Sequence, residues 1–306
     1  MNATTTASIL ATTLALGPSV LYATLGEIVG QRAGIVNLGI EGVMLVGAAV
    51  GFAAGVVFGN SYLGLLAGAG AGLAFNMLMA AMTVTRGTNQ LATGFALYFL
   101  GAGVSTLIGD QYIGSSVGGV GQFHLPGLGL LPHPWSNIFD QDLLVWLMFP
   151  TAVLLWWLLF HTRWGLHVRA VGEDRQRAYA AGLHPDRIRY QALAIAGALS
   201  GLSGAHLAVA YTKTWQDGIT AGRGFVVISI VILALWHPVR AIPGALLFTA
   251  AVATGLQLQA LGVPVSPFLL DMLPYVVTIA VVLIWGRPKA FAIPAALQEV
   301  FVGTST

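Results

Sequence analysis

The sequence contains no cysteine and has very little charge. Without cysteine, disulfide bonds, thiolate metal sites and cysteine nucleophiles are excluded. Of the 306 residues, 57% are hydrophobic and 8% are charged, whereas charged residues make up about 25% of an average soluble domain. Several stretches of about 20 residues carry no charge, which is long enough to cross a hydrocarbon layer about 30 Å thick. The composition therefore predicts a chain that is embedded in a membrane throughout.

Apolar stretches recur along the whole sequence and predict the fold class. We expect an all-α, polytopic transmembrane helical bundle of about eight to ten spans, forming a single transmembrane domain over residues 1–306. The stretch 35–58 contains Asn37 and Glu41, and the stretch 224–236 is short, so either is a candidate for a broken or re-entrant element. The nine stretches are 8–29, 35–58, 62–85, 90–109, 143–160, 190–211, 224–236, 241–260 and 269–285.

The basic residues are distributed unevenly between the loops. Positively charged residues concentrate in the cytoplasmic loops of membrane proteins. We therefore predict a multi-pass membrane protein with its C-terminus in the cytoplasm and only Lys213 and Arg223 on the opposite side. Residues 161–189 hold six arginines and form the largest cytoplasmic loop, whereas 110–141 lack Lys and Arg and form an extracytoplasmic loop. The other basic residues are Arg32, Arg86, Arg163, Arg169, Arg175, Arg177, Arg187, Arg189, Arg240, Arg287 and Lys289.

Glycine is abundant, with 39 residues, and some of it is periodic. Glycines recur every fourth position from Gly47 to Gly59, and Gly197 and Gly201 form a similar pair. Small residues at this spacing let transmembrane helices approach closely. The pattern indicates either helix packing within one chain or association of two chains through these faces.

The arginine-rich loop predicts a short amphipathic helix between Arg169 and Arg189, which Gly182 ends shortly before Pro185. A basic loop beside a membrane often does no more than fix the topology and contact anionic lipid. On composition alone, that simpler interpretation is favoured.

Three segments together give a more specific signal. They are RAVGEDRQRAYAAGLHPDRIRYQALAIAGALSGLSGA at 169–205, GEIVGQRAGIVNLGIEGVMLVGA at 26–48 and TAGRGFVVISIVILALWHPVRAIPGALLF at 220–248. In combination they resemble the permease subunits of ABC importers of the branched-chain amino acid, ribose and nucleoside group, over about residues 20–290. The departures from the family pattern are Asp174 for Asn, Leu183 for Ile, Gln31 where Glu is frequent, and Ala-Leu-Trp-His ending at His237 for Phe-Gly-x-Trp.

The resemblance implies a half-transporter of the bacterial inner membrane with several partners. These are a homologous second permease subunit, one or more ABC ATPase subunits, and an extracytoplasmic substrate-binding protein, in addition to membrane lipid and a small polar solute. The cytoplasmic loop would be the coupling helix that contacts the ATPase. The residues expected at that contact are Gly172, Glu173, Asp174, Ala181 and Gly182.

The sequence has no phosphate-binding motif of the form G-x-x-x-x-G-K-[ST]. We therefore expect ATP and Mg in the partner ATPase, and no cofactor, metal, catalytic residue or nucleic-acid partner for this chain. The motif at 26–48 resembles the nucleoside-type branch most, which favours purine nucleosides as the solute. Simple sugars and nucleobases are alternatives within the same family, and a stand-alone secondary carrier is an alternative outside it.

Polar residues inside the predicted spans are candidates for the solute pathway. Asn37 and Glu41 are four positions apart and are expected to share one helix face. A carboxylate within a bilayer needs a partner or water, so Glu41 either lines the pathway with Asn37, or caps a broken helix or pairs with Arg32. Further pathway candidates are Asn76, Phe99 and Gln257, for which packing between helices or against lipid is the simpler interpretation.

Overall fold

The computed structural model describes residues 3–123, 134–285 and 293–297, and most of these residues are helical. Two strands of two residues, β1 (Gln122–Phe123) and β2 (Gln141–Asp142), pair antiparallel. The prediction of an all-α bundle is confirmed. The α-helices are α1 (Ala3–Leu16), α2 (Pro18–Arg32), α3 (Ile40–Phe58), α4 (Ser61–Ala80, continued by the π-helical turn Ala81–Thr85), α5 (Gln90–Gly109), α6 (Leu143–His161), α7 (Arg163–Glu173), α8 (Arg175–Ala180), α9 (Pro185–Ala205, continued by the π-helical segment His206–Thr212), α10 (Arg223–Leu233), α11 (Pro238–Ala260) and α12 (Pro267–Trp285).

Seven of the described helices are long and apolar enough to cross a membrane, namely α3, α4, α5, α6, α9, α11 and α12. Helices α1 and α2 make an eighth span if they cross together, with a bend of 41° between them. The bend lies at Gly17 and Pro18, because proline cannot donate the backbone hydrogen bond that would continue α1. The count agrees with the lower end of the predicted range.

The seventh predicted stretch, 224–236, belongs to a broken element, as its short length allowed. This element consists of the non-helical segment 213–222 followed by the 11-residue helix α10. At the start of this element, Thr214 forms an antiparallel bridge with Ser116 in the loop after α5. At its far end, Nε1 of Trp236 donates to Oε1 of Gln31, 2.6 Å away near the end of α2. The element therefore extends from the end of α9 to a contact with the end of α2, and only its second part, α10, is helical.

Helices α3, α4 and α9 pack through glycines with almost no space between their backbones. A Cβ atom added to Gly47 would lie 2.5 Å from the carbonyl oxygen of Gly201. One added to Gly72 would lie 2.5 Å from the carbonyl oxygen of Gly197. Side chains are thus excluded at these contacts. Of the two interpretations of the glycine pattern, packing within one chain is confirmed.

Helix α12 lies at the edge of the bundle. It packs against α11 and α10, and only 11% of its membrane-length window is buried. Large apolar side chains such as Phe268 and Leu283 are almost fully exposed on it. Within a membrane, an apolar surface of this kind faces lipid or another membrane subunit.

Parts of some sequence predictions lie outside the described residues. They include 124–133 of the extracytoplasmic loop, and Arg287 and Lys289 of the basic set. Residues 298–306, which contain the C-terminus, also lie outside. The cytoplasmic position of the C-terminus therefore stays a prediction.

Candidate functional site

Buried polar side chains hold the non-helical segment 33–39 between α2 and α3. Oε1 of Glu27 accepts a hydrogen bond from the backbone N–H of Asn37, with a distance of 3.0 Å. The side-chain amide of Asn37 donates to Oδ1 of Asn76 at 2.8 Å, and the amide of Asn76 donates to the carbonyl oxygen of Leu193 at 2.6 Å. Buried polar groups need such partners. The network ties the segment to α2, α4 and α9.

The carboxylate of Glu41, in the first turn of α3, holds the start of α10. Its Oε1 accepts from the hydroxyl of Thr220 at 2.6 Å and from the N–H of Gly222 at 2.7 Å, and its Oε2 accepts from the N–H of Gly224 at 2.6 Å. Free N–H groups at a helix start attract a negative charge. Gly222 has a φ of 79°, and a Cβ added to Gly224 would lie 2.7 Å from the backbone nitrogen of Glu41. The two glycines therefore permit the close approach that this cap requires.

This geometry corrects the prediction that Asn37 and Glu41 share a helix face. Asn37 lies in the turn before α3, because its Oδ1 accepts from the N–H of Gly39 at 2.8 Å and so competes with helical bonding. Among the described residues, the hydrogen bonds of Glu41 match the cap of a broken helix and none comes from Arg32. Asn37, Glu41 and Asn76 are at most 4% exposed. Their contact with solute stays a prediction.

Phe99 belongs to an aromatic cluster that it forms with Tyr98 and with Phe225 of α10. The ring centroids of Tyr98 and Phe99 are 5.0 Å apart, and those of Tyr98 and Phe225 are 5.2 Å apart. Phe99 is 69% exposed. Such a ring is free to stack on a base, to contact lipid or to pack against a second subunit, so its role in the pathway stays a prediction.

A cavity of about 280 Å³ lies between the start of α10, α11 and the first half of α12. Arg223, Asp271 and Tyr275 line it together with apolar side chains. Nη1 of Arg223 donates to the carbonyl oxygens of Ile219 and Thr220, at 3.3 and 3.0 Å. The cavity thus has a cation, an acid and an aromatic ring on its wall.

None of these three cavity residues was predicted from the sequence as a residue of the solute pathway. Gln257, which it proposed, is half-buried on α11 and does not line the cavity. The neighbouring Gln259 reaches the cavity wall instead, because its amide donates to Oδ1 of Asp271 at 3.2 Å. A signal for Arg223 was present, since it is one of two exceptions to the charge asymmetry between the loops. Solute contact by Gln257 stays a prediction.

The single amphipathic helix predicted in the cytoplasmic loop is in fact two short helices, α7 and α8. Oδ1 of Asp174 accepts from the N–H groups of Gln176 and Arg177 at 2.8 and 3.0 Å. Asp174 therefore starts a new helix instead of continuing α7. Gly182, with a φ of 84°, follows the end of α8 as predicted.

Gly172 is not on the surface where the sequence analysis placed it. It is buried, and a Cβ added there would lie 3.2 Å from the nitrogen of Gly34 and still closer to the carbonyl oxygen of Arg32. The prediction of a surface contact is corrected: Gly172 lets α7 pack on the end of α2. Glu173 is exposed, and its Oε2 accepts from the N–H of Ala295 at 3.2 Å.

The exposed surface of this loop lies on α8 and the start of α9. Arg175 and Asp186 form an ion pair at 2.8 Å, beside a groove of about 660 Å³. Tyr179 lines the groove and is 71% exposed. Ala181 and Gly182 are exposed at the end of α8. The loop therefore presents a charged and aromatic surface away from the bundle.

The sequence matches a known protein family over most of its length. A family model described as "Branched-chain amino acid transport system / permease component" matches residues 8–282. The chain belongs to this permease family. The match extends over nearly all the described helices, and it confirms the resemblance found in the three sequence segments.

Several curated relatives are similar over almost their whole length. A putative glucose ABC transporter permease of Haloferax volcanii is 32% identical over 96% of this chain and 97% of its own. A nucleoside ABC transporter permease of Lactococcus lactis is 30% identical over 95% and 97%, respectively. A guanosine ABC transporter permease of Bacillus subtilis is 29% identical over 92% and 94%. No solved structure matches this permease.

Proposed function

We propose that this chain is a permease subunit of an ATP-driven ABC importer for nucleosides or sugars. The observation that carries the proposal is the family match over residues 8–282. The chain acts as one transmembrane domain and forms the translocation pathway with a homologous second permease. A substrate-binding protein delivers the solute from outside, and a separate ATPase binds ATP and Mg and hydrolyses the ATP.

The surface formed by α8 and the start of α9 is the proposed contact with the ATPase. Closure of the nucleotide-bound ATPase favours one position of α8, and a ligand shifts a conformation only by such a preference. Because Gly172 fixes α7 on the end of α2, and α9 begins directly after α8, a displacement of α8 moves both spans. This arrangement couples the motor to the pathway.

The proposed orientation in the inner membrane follows from the charge distribution. Loop 161–189 lies in the cytoplasm, where the ATPase is, and the C-terminus lies on the same side. The absence of native cysteine makes a single engineered cysteine a clean probe. An Ala181→Cys variant should react with a membrane-impermeant thiol reagent in inverted vesicles and not in intact cells. Reaction in intact cells would contradict this orientation.

The favoured solutes are purine nucleosides, because two relatives are named for guanosine and nucleosides. Sugars are the second candidate, because a third relative, 32% identical, is named for glucose. A transporter assembled from this chain, its second permease, the ATPase and the binding protein should be tested in liposomes with labelled guanosine and labelled glucose. Uptake of one of them should require ATP.

The control is the same complex with an ATPase that binds ATP but does not hydrolyse it. This control should abolish uptake. Uptake that persists without ATP hydrolysis and follows an ion gradient would contradict the importer and favour a stand-alone carrier. ATP-dependent uptake of neither solute would contradict the proposed solute classes.

A further inference from the structure

The cavity beside the start of α10 has properties unsuited to a lipid-facing surface. Two charged side chains, Arg223 and Asp271, line it. Charged side chains in membrane spans are costly and normally face a partner, a water-filled route or a ligand. Side chains from the first half of α12 form one wall of the cavity, and α12 lies at the edge of the bundle. The two charges on this wall therefore favour a ligand-binding role over contact with lipid.

The hydrogen-bonding capacity of these two side chains is only partly used. Among the described residues, both hydrogen bonds of Arg223 come from Nη1, which leaves Nε and Nη2 without a partner there. Asp271 accepts one bond at Oδ1, from Gln259, and none at Oδ2 within the same part of the chain. No ion pair joins Arg223 and Asp271 in the described structure. A ligand between them would find both donors and an acceptor.

Aromatic rings form a rigid apolar wall of the same cavity. The ring of Tyr275 meets that of Phe248 edge-on, with centroids 5.9 Å apart and an angle of 76°. The hydroxyl of Tyr275 donates to the carbonyl oxygen of Ala221, which fixes the ring. One cation and one acid leave the wall neutral overall. An apolar wall with a few placed polar groups is typical of sites for small neutral ligands.

We propose that this cavity binds the sugar ring of the transported solute. Arg223 donates hydrogen bonds to ring hydroxyls, the carboxylate of Asp271 accepts from them, and the apolar face of the ring packs on Tyr275. The volume of about 280 Å³ lies at the lower end of ligand cavities, which suits one sugar ring better than a complete nucleoside. Hydroxyls on a sugar ring are common to glucose and to the ribose of a nucleoside. The inference rests on the proposed function and names the group of the solute that is recognised.

The first experiment uses conservative variants in the assembled transporter. Arg223→Lys keeps the charge but loses the planar fork of donors, and Asp271→Asn loses the charge at nearly the same size. With saturating binding protein, each variant should lower the uptake rate of the transported solute, guanosine or glucose, about tenfold, the effect of losing a charge-assisted hydrogen bond. Co-purification of the subunits should not change, so that a lower uptake rate does not reflect a loss of assembly.

The matched controls are Arg86→Lys and Asp217→Asn, two exposed residues that do not line the cavity. Both controls should transport like the wild type. If the cavity variants and the controls all transport like the wild type, the sugar site is overturned while the proposed function stands. A wild-type complex that transports neither solute would contradict the proposed function itself.

A second experiment measures occupancy directly and does not depend on the polar variants. Leu256→Cys places a single thiol on the cavity wall, and Leu261→Cys places one in the exposed turn after α11, outside the cavity lining. Saturating guanosine or glucose should slow the reaction of a thiol reagent at position 256 about tenfold and leave position 261 unchanged. Guanine, which has no sugar ring, should not protect. Equal labelling with and without the transported solute, or protection by guanine, would overturn the site.

Discussion

Glu41 of α3 and Arg223 of α10 both lie beside the start of α10, but the surroundings of the two charged side chains differ. Glu41 is 3% exposed and accepts three hydrogen bonds from the chain around α10. Arg223 lines a cavity and, within the described part of the chain, donates only to two carbonyl groups of the preceding turn. A buried charge whose bonds are filled by its own chain holds the fold together. A charge with unused capacity beside a cavity is available to a ligand.

The largest effect is expected from removal of the carboxylate that caps α10. Glu41→Ala leaves the hydroxyl of Thr220 and the N–H groups of Gly222 and Gly224 without their acceptor. Each unsatisfied buried group costs about 1–3 kcal/mol. The variant should therefore be nearly absent from membranes, as measured by the amount of folded complex that purifies.

Glu41→Gln serves as the control because it keeps the size of the side chain and one acceptor oxygen. It should give an intermediate amount of complex. If Glu41→Ala purifies like the wild type and only its transport is lost, the distinction drawn here between Glu41 and Arg223 is wrong.

A somewhat smaller effect is expected at the glycine beside this cap. In Gly224→Ala the new methyl group would lie 2.7 Å from the backbone nitrogen of Glu41, so α3 and α10 must separate. Forced overpacking costs about 1–3 kcal/mol. The thermal unfolding temperature of the complex should fall. Gly103→Ala, which has open space around the added methyl group, should leave it unchanged; equal unfolding temperatures for both variants would refute the close approach.

Asp142 offers a third charged side chain, at the start of α6. Burial alone would raise the pKa of its carboxyl, but hydrogen bonds from His206 at 3.0 Å and from the N–H groups of Val145 and Leu144 hold this pKa below its usual value. A lowered carboxyl pKa contributes stability above the unfolded pKa of about 3.9, and this stability is lost as the pH falls through the folded value.

The stability difference between the wild type and Asp142→Asn should therefore be larger at pH 7 than at about pH 3, which is below the unfolded pKa of an aspartate. Thermal unfolding of the purified complex at the two pH values measures it. A difference that does not depend on pH would show that the charge of Asp142 contributes nothing.

The smallest effect on stability is expected at Glu173, which is exposed in the loop 161–189 that is proposed to face the cytoplasm. Glu173→Arg removes one hydrogen bond, to Ala295, so the unfolding temperature should barely change. Uptake should nevertheless fall about tenfold. Glu173→Arg reverses a charge at the proposed contact with the ATPase, and like charges that meet across an interface are unfavourable. The ATPase should still co-purify and hydrolyse ATP. Normal uptake by this variant would count against a coupling role for Glu173.

The sequence predicted the fold better than it predicted the site. The apolar stretches indicated the spans and the short seventh stretch, and the three segments indicated the family, since both signals are local. The helix face shared by Asn37 and Glu41 was wrong because the side chain of Asn37 bonds to its own turn. The predicted surface position of Gly172 was wrong. A glycine is common both at an exposed helix end and at a close contact between two backbones, and the sequence alone does not distinguish the two positions.

The sequence by itself determined that the chain is a helical membrane permease, because hydrophobic length, charge asymmetry and short motifs are all readable along one dimension. Only the tertiary structure decided which polar groups meet. It joins Glu41 to Gly222 and Gly224, and it brings Arg223 and Asp271 to one cavity. Such pairings depend on how the helices pack against one another. No periodicity within a single helix records that arrangement.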